Sequence, residues 1–191
     1  MKTLRALKLA VVAGLGLALA ISATAALAQQ KQSIRDRAVG AWKLISWESL
    51  RSSGQIVNIW MGPHPTGLLI YQPNGYMAVQ IMHDPRPMFA KSDLTATSDE
   101  FRKAYFGYYA YWGTYAINEA ESTIEHKIQG SARPAEVGNT RKATLRFDGT
   151  KLVLTTRSYK AGLLLPHDLL EGAQVRDDEE LVNRLTWERI E

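Results

Sequence analysis

Apolar and polar residues alternate in short runs over most of the chain after residue 39, and turn residues separate these runs every eight to twelve positions. Alternation with a period of two places successive side chains on opposite faces of a β-strand. Strands at this spacing are typical of all-β sandwiches and barrels. The pattern predicts strands over 40–49, 55–60, 66–72, 76–83, 109–118, 122–130, 140–147, 151–158 and 183–190.

Two of the predicted turns have the sequence of tight β-hairpins. Pro73-Asn74-Gly75 separates two of the runs, and Asp148-Gly149 separates two others. Asn-Gly and Asp-Gly adopt a positive φ at little cost, which such turns require. The flanking strands are therefore expected to pair in antiparallel fashion.

One segment departs from the strand pattern and predicts a short helix. Thr97 and Glu100 have the spacing of a capping box. The apolar positions that follow lie on one helical face: Phe101, Ala104, Tyr105 and Tyr108. A helix between two strands can lie across an open end of the fold as a plug or pack on its outer wall. We predict the plug.

The strand period sorts side chains by face. His126 shares a face with Ile124 and Ile128, while charged and polar residues occupy the other face, so His126 is predicted to point inward. Arg141 falls in the apolar phase of its own strand. Tyrosines alternate with Trp112 over 109–117, and either face of that strand has an apolar pattern. The strand over 109–117 therefore has no assigned inner face. Over 76–82, one face carries Tyr76, Ala78, Gln80 and Met82, and the other carries Met77, Val79 and Ile81.

An inward His126 and Arg141 need hydrogen-bond partners, because an unpaired buried polar group costs about 1–3 kcal/mol. Either they satisfy one another inside a filled core, or they line a cavity together with tyrosines and orient a ligand. Aromatic walls with a few polar groups are typical of small-molecule sites. We predict a ligand site formed by His126, Arg141, Tyr71, Tyr76, Tyr111 and Tyr115.

The first 28 residues have the pattern of a secretory signal peptide. Lys2, Arg5 and Lys8 precede an almost wholly apolar run over 9–27, and Ala26-Leu27-Ala28 forms a small-x-small cleavage site. We expect residues 29–191 to be the mature domain, in the periplasm or secreted. The alternative is an uncleaved membrane anchor, since the run is long enough to cross a bilayer. No membrane span is predicted in 29–191.

Charge and composition exclude several kinds of chemistry. The formal net charge of +4 falls to 4 − 3 = +1 without residues 1–28, so nothing calls for a nucleic-acid partner. The chain has no cysteine, which excludes disulfides and thiol chemistry, and its four histidines are scattered, so no metal site and no cofactor are predicted. The run Asp177–Glu180 is interpreted as a solvated loop. The apolar stretch 162–170 is a lid, a partner surface or an ordered core loop.

Several motifs now resemble one family. Gly40-Ala41-Trp42 is a G-x-W motif at the first strand, and Arg189 lies on the last. Between them come, in order, Gly62–Tyr71, Asn74–Met77, Tyr111–Tyr115, Glu125-His126 and Val137–Arg141. Over almost all of 29–191 this resembles the lipocalin-like domain family of bacteria and fungi.

The resemblance implies an all-β fold, a closed antiparallel lipocalin-like β-barrel of eight to ten strands. The one short helix predicted above lies in the 84–108 insertion, which differs from the short hairpins of typical extracellular lipocalins. The resemblance also implies that Gly40, Trp42 and Arg189 close one barrel end, the guanidinium lying over the indole. A cavity for a small hydrophobic molecule is implied as well. The family brings no shared activity with it.

These observations predict an exported protein that holds a small hydrophobic or aromatic molecule; its oligomeric state is not predicted. The alternative is a cofactor-independent isomerase, cyclase or hydratase in which the His126 imidazole moves protons in the same pocket. A third possibility is a filled barrel that serves as a scaffold for a surface partner.

Overall fold

Ten antiparallel strands form one sheet in a computed structural model that describes residues 32–57, 60–171 and 173–191. The predicted signal peptide and its cleavage site lie outside the described residues. The strands are β1 (Gly40–Arg51), β2 (Ile56–Val57), β3 (Thr66–Tyr71), β4 (Tyr76–Met82), β5 (Tyr108–Asn118), β6 (Thr123–Ser131), β7 (Thr140–Asp148), β8 (Lys151–Thr156), β9 (Tyr159–Lys160) and β10 (Glu180–Arg189).

Eight of these strands close into a barrel. The order along the sheet is β2-β1-β3-β4-β5-β6-β7-β8-β10-β9, and β1 also pairs with β10. The two-residue strands β2 and β9 extend the sheet at its margins and are not part of the closed ring. The predicted antiparallel barrel is confirmed, with the strand predicted over 55–60 reduced to two described residues and with β9 as an addition.

Three short helices accompany the strands in the described ranges: α1 (Ile34–Ala38), α2 (Ser98–Phe106) and α3 (His167–Glu171). Single 3₁₀ turns occur at Asp93–Thr95, Pro134–Glu136 and Ala161–Leu163. None of the helices in the described part of the chain combines the length and the apolar character needed to span a bilayer.

Pairing across neighbouring strands settles which faces point inward. On β4, Val79 and Ile81 are buried, and they lie directly opposite Tyr111 and Tyr109 of β5. Directly opposed residues in an antiparallel pair share a face. The β5 tyrosines therefore face the interior, while Trp112 is 51% exposed on the outside. On β6, His126 points inward as predicted.

One end of the barrel is closed by Trp42 and Arg189. The Arg189 guanidinium carbon lies 4.3 Å from the centre of the Trp42 ring, and its Nη1 donates to the Val39 carbonyl over 2.8 Å. The Trp42 indole N–H donates to the Ala38 carbonyl at the end of α1, also over 2.8 Å. Gly40 has a φ of +135°, and a Cβ there would overlap Nη1 of Arg189. The G-x-W motif thus needs glycine at position 40, because other residues rarely adopt this positive φ and because a side chain there would overlap Arg189.

Helix α2 begins with the predicted capping box but is not a plug. The Glu100 N–H donates to Thr97 Oγ1 over 3.3 Å, and the Thr97 N–H donates to the Glu100 carboxylate over 2.8 Å. No residue of the helix is buried, and Phe101 and Tyr105 of the predicted packing face are 48% and 43% exposed. The predicted plug is therefore wrong.

The chain between β9 and β10 covers the other end of the barrel in its place. Ala161, Leu165, Leu170 and Val175 form a second apolar cluster with Val57 and Leu181. Trp60 and Phe106 are partly buried against this cluster. Of the three interpretations of the apolar stretch 162–170, the ordered core loop describes the observed packing, because Leu165 and Leu170 are buried in this cluster, while Leu163 is 77% exposed.

Candidate ligand-binding cavity

A cavity of about 310 Å³ lies inside the barrel. It has the volume of about ten water molecules in the liquid and falls at the lower end of the size range of small-molecule sites. Most of its walls are aromatic or aliphatic: Trp47, Trp60, Leu69, Val79, Ile81, Tyr109, Ile124, Ala143, Leu154, Leu164, Leu185 and Trp187. The barrel is therefore hollow between its closed end and the Leu164 segment.

Three of the wall rings form an aromatic corner. The ring centres of Trp47 and Trp60 lie 4.9 Å apart, and Tyr109 lies 5.8 Å from Trp47 and 5.0 Å from Trp60. The rings are inclined to one another by 58° to 67°. Edge-to-face and tilted contacts of this kind are favourable between aromatic rings, and a flat ligand ring meets the same geometry.

His126 is bound at both ring nitrogens by tyrosine hydroxyls. The Tyr71 hydroxyl oxygen lies 2.8 Å from Nε2, and the Tyr111 hydroxyl oxygen lies 2.7 Å from Nδ1. A neutral imidazole has one N–H and one acceptor nitrogen, so one tyrosine accepts a hydrogen bond from the ring while the other donates to it. The inward strand phases of β3, β5 and β6 bring these three side chains together.

Burial keeps this triad uncharged. Burial, together with the smaller effect of the positive charge of Arg141, lowers the pKa of His126 from 6.5 to about 3. Burial also raises the pKa of Tyr71 well above its usual value, and it raises the pKa of Tyr111. All three groups are therefore neutral near pH 7, a value far from each of these pKa values. The arrangement is suited to orienting a ligand through fixed dipoles.

A partly buried ion pair lies beside the triad. Arg141 is directly opposite His126 in the β6–β7 register, and its Nη2 donates to Glu136 Oε1 over 2.6 Å. Glu136 is buried, and its second carboxylate oxygen accepts from Ser131 Oγ over 3.4 Å. Sequence reasoning missed Glu136 because it lies in a 3₁₀ turn, where no strand period indicates which side chains point inward.

A second polar group on the wall was also missed. Asn183 Oδ1 accepts hydrogen bonds from Ser49 Oγ and from the Tyr159 hydroxyl, both over 2.8 Å. Asn183 and Tyr159 line the cavity. Asn183 stands near the start of β10, and the predicted last strand began at that residue, so no preceding alternation marked its face.

The predicted ligand residues fall into three groups. His126, Arg141 and Tyr111 line the cavity. Tyr71 and Tyr115 are buried but are not among the lining residues; Tyr71 holds His126, and the Tyr115 hydroxyl donates to the Gln72 carbonyl over 2.8 Å. Tyr76 is 48% exposed on the outer face of β4, because its neighbour Met77 takes the inward position. The structure thus removes Tyr76 from the site.

The described residues offer no preformed metal site. Nowhere in these ranges do three or more His, Asp or Glu side chains come together as metal ligands would. The polar atoms of the cavity lining belong to phenol, aliphatic hydroxyl, imidazole, indole, amide, ammonium and guanidinium groups. The chemistry that the site offers is therefore hydrogen bonding and positive charge within apolar walls.

Comparison with known proteins identifies the family of the chain through a family model. A solved structure of a redesigned β-barrel aligns with 84% of this chain and 100% of its own, at 13% identity and a TM-score of 0.37. No curated protein matches the sequence. The model of the lipocalin-like domain matches residues 39–190, from the residue before Gly40 to the residue after Arg189. The chain belongs to the lipocalin-like domain family.

Proposed function

We propose that the protein binds a small apolar or aromatic molecule in the barrel cavity and does so outside the cytoplasm. Family membership supports small-molecule binding in general terms. The observation that carries the finer proposal is the 310 Å³ cavity with its tryptophan and tyrosine walls. Apolar surface buried from water contributes roughly 25 cal/mol per Å² before the costs of association.

The polar groups of the cavity supply orientation. Tyr111 and His126 are fixed to each other, and Arg141 is held by Glu136, so their dipoles and charge are in place before a ligand arrives. Preorganised groups lose little entropy on binding. The apolar walls therefore provide affinity, and the polar groups determine the orientation in which a ligand binds.

Filling the cavity tests this proposal. Ala143 lies on the inward face of β7 and lines the cavity, so Ala143→Phe places a benzyl ring in the space that a ligand needs. We expect the affinity for the neutral probes decanol and naphthalenemethanol to fall by about tenfold or more. Titration followed by tryptophan fluorescence measures the affinity for each probe directly, because Trp47, Trp60 and Trp187 line the cavity.

The matched control is Ala116→Phe, on the exposed outer face of β5. This variant adds the same ring outside the barrel and should bind both probes as the wild type does. Native mass spectrometry of the purified protein gives an independent count of retained small molecules. Absence of binding in both assays, or equal binding by both variants, would rule out the cavity as the binding site.

Export is the second part of the proposal, and it is supported by the sequence of residues 1–28. When the full chain is produced in a Gram-negative host, we expect a periplasmic product whose measured mass corresponds to residues 29–191, with Gln29 at its N-terminus. A chain that starts at Gln29 with an added Met is the control and should remain in the cytoplasm. A full-length product in the membrane fraction would instead support the anchor.

We do not propose the enzyme alternative, because no observation favours it. Both nitrogens of His126 are engaged by hydroxyl groups, and its pKa of about 3 is far from the pH at which it would exchange protons with a substrate. General acid–base catalysis is most effective when the pKa lies near the working pH.

A further inference from the structure

The charges around the cavity are all of one sign. Arg141, Lys142 and Arg157 are among the described lining residues, and no acidic side chain is. Lys142 pairs with Glu121 over 3.2 Å and with Glu125 over 3.3 Å. Within the described part of the chain, Arg157 makes no ion pair. Arg141 is paired with Glu136, so Arg157 is the cation on the cavity lining that has no ion pair among the described residues.

A further buried arginine adds to this positive charge. Arg133 is 8% exposed, and its guanidinium carbon lies 4.2 Å from the ring centre of Trp60 and 5.8 Å from that of Tyr109. Both rings line the cavity. Arg133 and Arg141 have one buried carboxylate beside them, that of Glu136, and it bonds to Arg141. The buried Arg133 and the partly exposed Arg141, whose side chain is 33% exposed, carry two positive charges against the one negative charge of Glu136, so one positive charge is uncompensated.

The buried polar atoms of the cavity lining that lack a hydrogen-bond partner also call for an electron-rich ligand. On the lining residues, the buried polar atoms without a partner among the described groups are Nε1 of Trp47, Nε1 of Trp187 and Nε of Arg141. All three are N–H donors. The acceptors nearby, Asn183 Oδ1 and the Glu136 carboxylate, already receive hydrogen bonds. A molecule that complements this cavity must supply acceptors and negative charge.

We propose that the cavity selects a small monoanion: an apolar body bearing one carboxylate. This inference rests on the proposed binding function. Arg141 and Arg157 lie where β7 begins and β8 ends, at the barrel end opposite Trp42 and Arg189. The carboxylate binds there, beside Arg141 and near solvent, where little hydration is lost. The apolar body points toward the closed end, among the aliphatic and tryptophan walls.

Charge explains why a carboxylate is favoured over a neutral acceptor. A hydrogen bond between a guanidinium and a carboxylate is about twice as strong as one between neutral groups. The carboxylate also offsets the uncompensated positive charge beside Glu136. A primary amide has the same shape but carries no charge and replaces one acceptor oxygen with a donor, which faces the donors of the site.

The test compares acids with their own amides. Decanoate and decanamide, and naphthylacetate and naphthylacetamide, are titrated at neutral pH, where the acids are ionised. We expect the wild type to prefer each acid by about tenfold, since charge-assisted hydrogen bonds dominate the difference. Arg141→Gln should remove most of this preference, because it lowers the affinity for each acid far more than the affinity for its amide.

Further variants separate charge at the site from loss of structure. Arg141→Gln leaves Glu136 without its cation, so Arg157→Gln, which breaks no ion pair in the described structure, is measured as well and should lower acid affinity by about threefold. Arg146→Gln removes a cation from the outer face of β7 and should leave both affinities unchanged.

The possible outcomes distinguish the two proposals. Acid preference that is lost in Arg141→Gln and reduced in Arg157→Gln supports the anion site. Equal binding of acid and amide by the wild type overturns the anion site and leaves the proposed binding function standing. Binding of neither class overturns both. If the acid preference survives both site variants, or if it falls by the same factor in Arg146→Gln, the preference comes from the overall charge of the protein and the anion site is overturned.

Discussion

Replacing Trp42 with alanine is expected to lower the free energy of unfolding by about 4 kcal/mol, the usual cost of truncating a buried aromatic residue. Trp42 is 1% exposed, stacks under Arg189 and packs against Phe147 at 6.1 Å between ring centres. Truncation removes this packing and also the hydrogen bond to the Ala38 carbonyl. Urea unfolding followed by far-UV circular dichroism measures the change without relying on tryptophan emission.

Trp112→Ala is the matched control, since that indole is 51% exposed on the outer face of β5. We expect it to cost about 1 kcal/mol or less, as is usual for surface positions. Trp42→Phe should fall between the two, because it retains a ring under Arg189 and loses the N–H donor. Equal losses for Trp42→Ala and Trp112→Ala would contradict the role assigned to the closed end.

The protein is also expected to lose stability on mild acidification because of His126. The pKa of His126 is about 3 in the folded state against 6.5 ordinarily. The unfolded chain therefore takes up a proton first as the pH falls, and protonation favours unfolding. Stability is complete above about pH 6.5 and declines progressively toward about pH 3, with a loss from His126 alone of about 2 kcal/mol between about pH 7 and about pH 5.

His126→Gln isolates this contribution. Glutamine does not titrate and keeps a donor and an acceptor for the two tyrosine hydroxyls. Its free energy of unfolding should change by about 2 kcal/mol less than that of the wild type over the same interval. His64→Gln replaces an exposed histidine that takes part in no ion pair among the described residues, and it should retain the wild-type pH dependence. If His126→Gln shows the full wild-type slope, His126 does not carry the acid sensitivity.

The strands could be predicted because turn residues and the alternation of apolar and polar residues are visible within short stretches of the sequence. The hairpins at Gly75 and Gly149 have φ values of +89° and +60°, as their sequences indicated. Inner faces could be predicted only where one phase was clearly polar, as on β6 around His126. On β5, tyrosines and Trp112 gave both faces an apolar pattern, and the register against β4 decided between them.

A residue of the candidate site could be predicted only where the alternation within its own strand showed that its side chain points inward. The inward phase of β6 and β7 placed His126 and Arg141 on the cavity wall. The partners of these residues come from other strands or from turns: Tyr71 reaches His126 across the barrel, and Glu136 comes from a 3₁₀ turn. Helix α2 was assigned to the wrong place because amphipathic spacing does not identify the surface on which a helix packs.

For the proposed ligand, the Trp42–Arg189 closure fixes the side from which the cavity is reached. One end of the described barrel is shut by a stacked side-chain pair and backbone hydrogen bonds, so the proposed entry lies on the side of Leu164 and the apolar cluster around Leu170. Under this proposal a ligand enters and leaves by the same route, and its residence time depends on how readily the segment around Leu164 moves while the eight-stranded barrel stays intact.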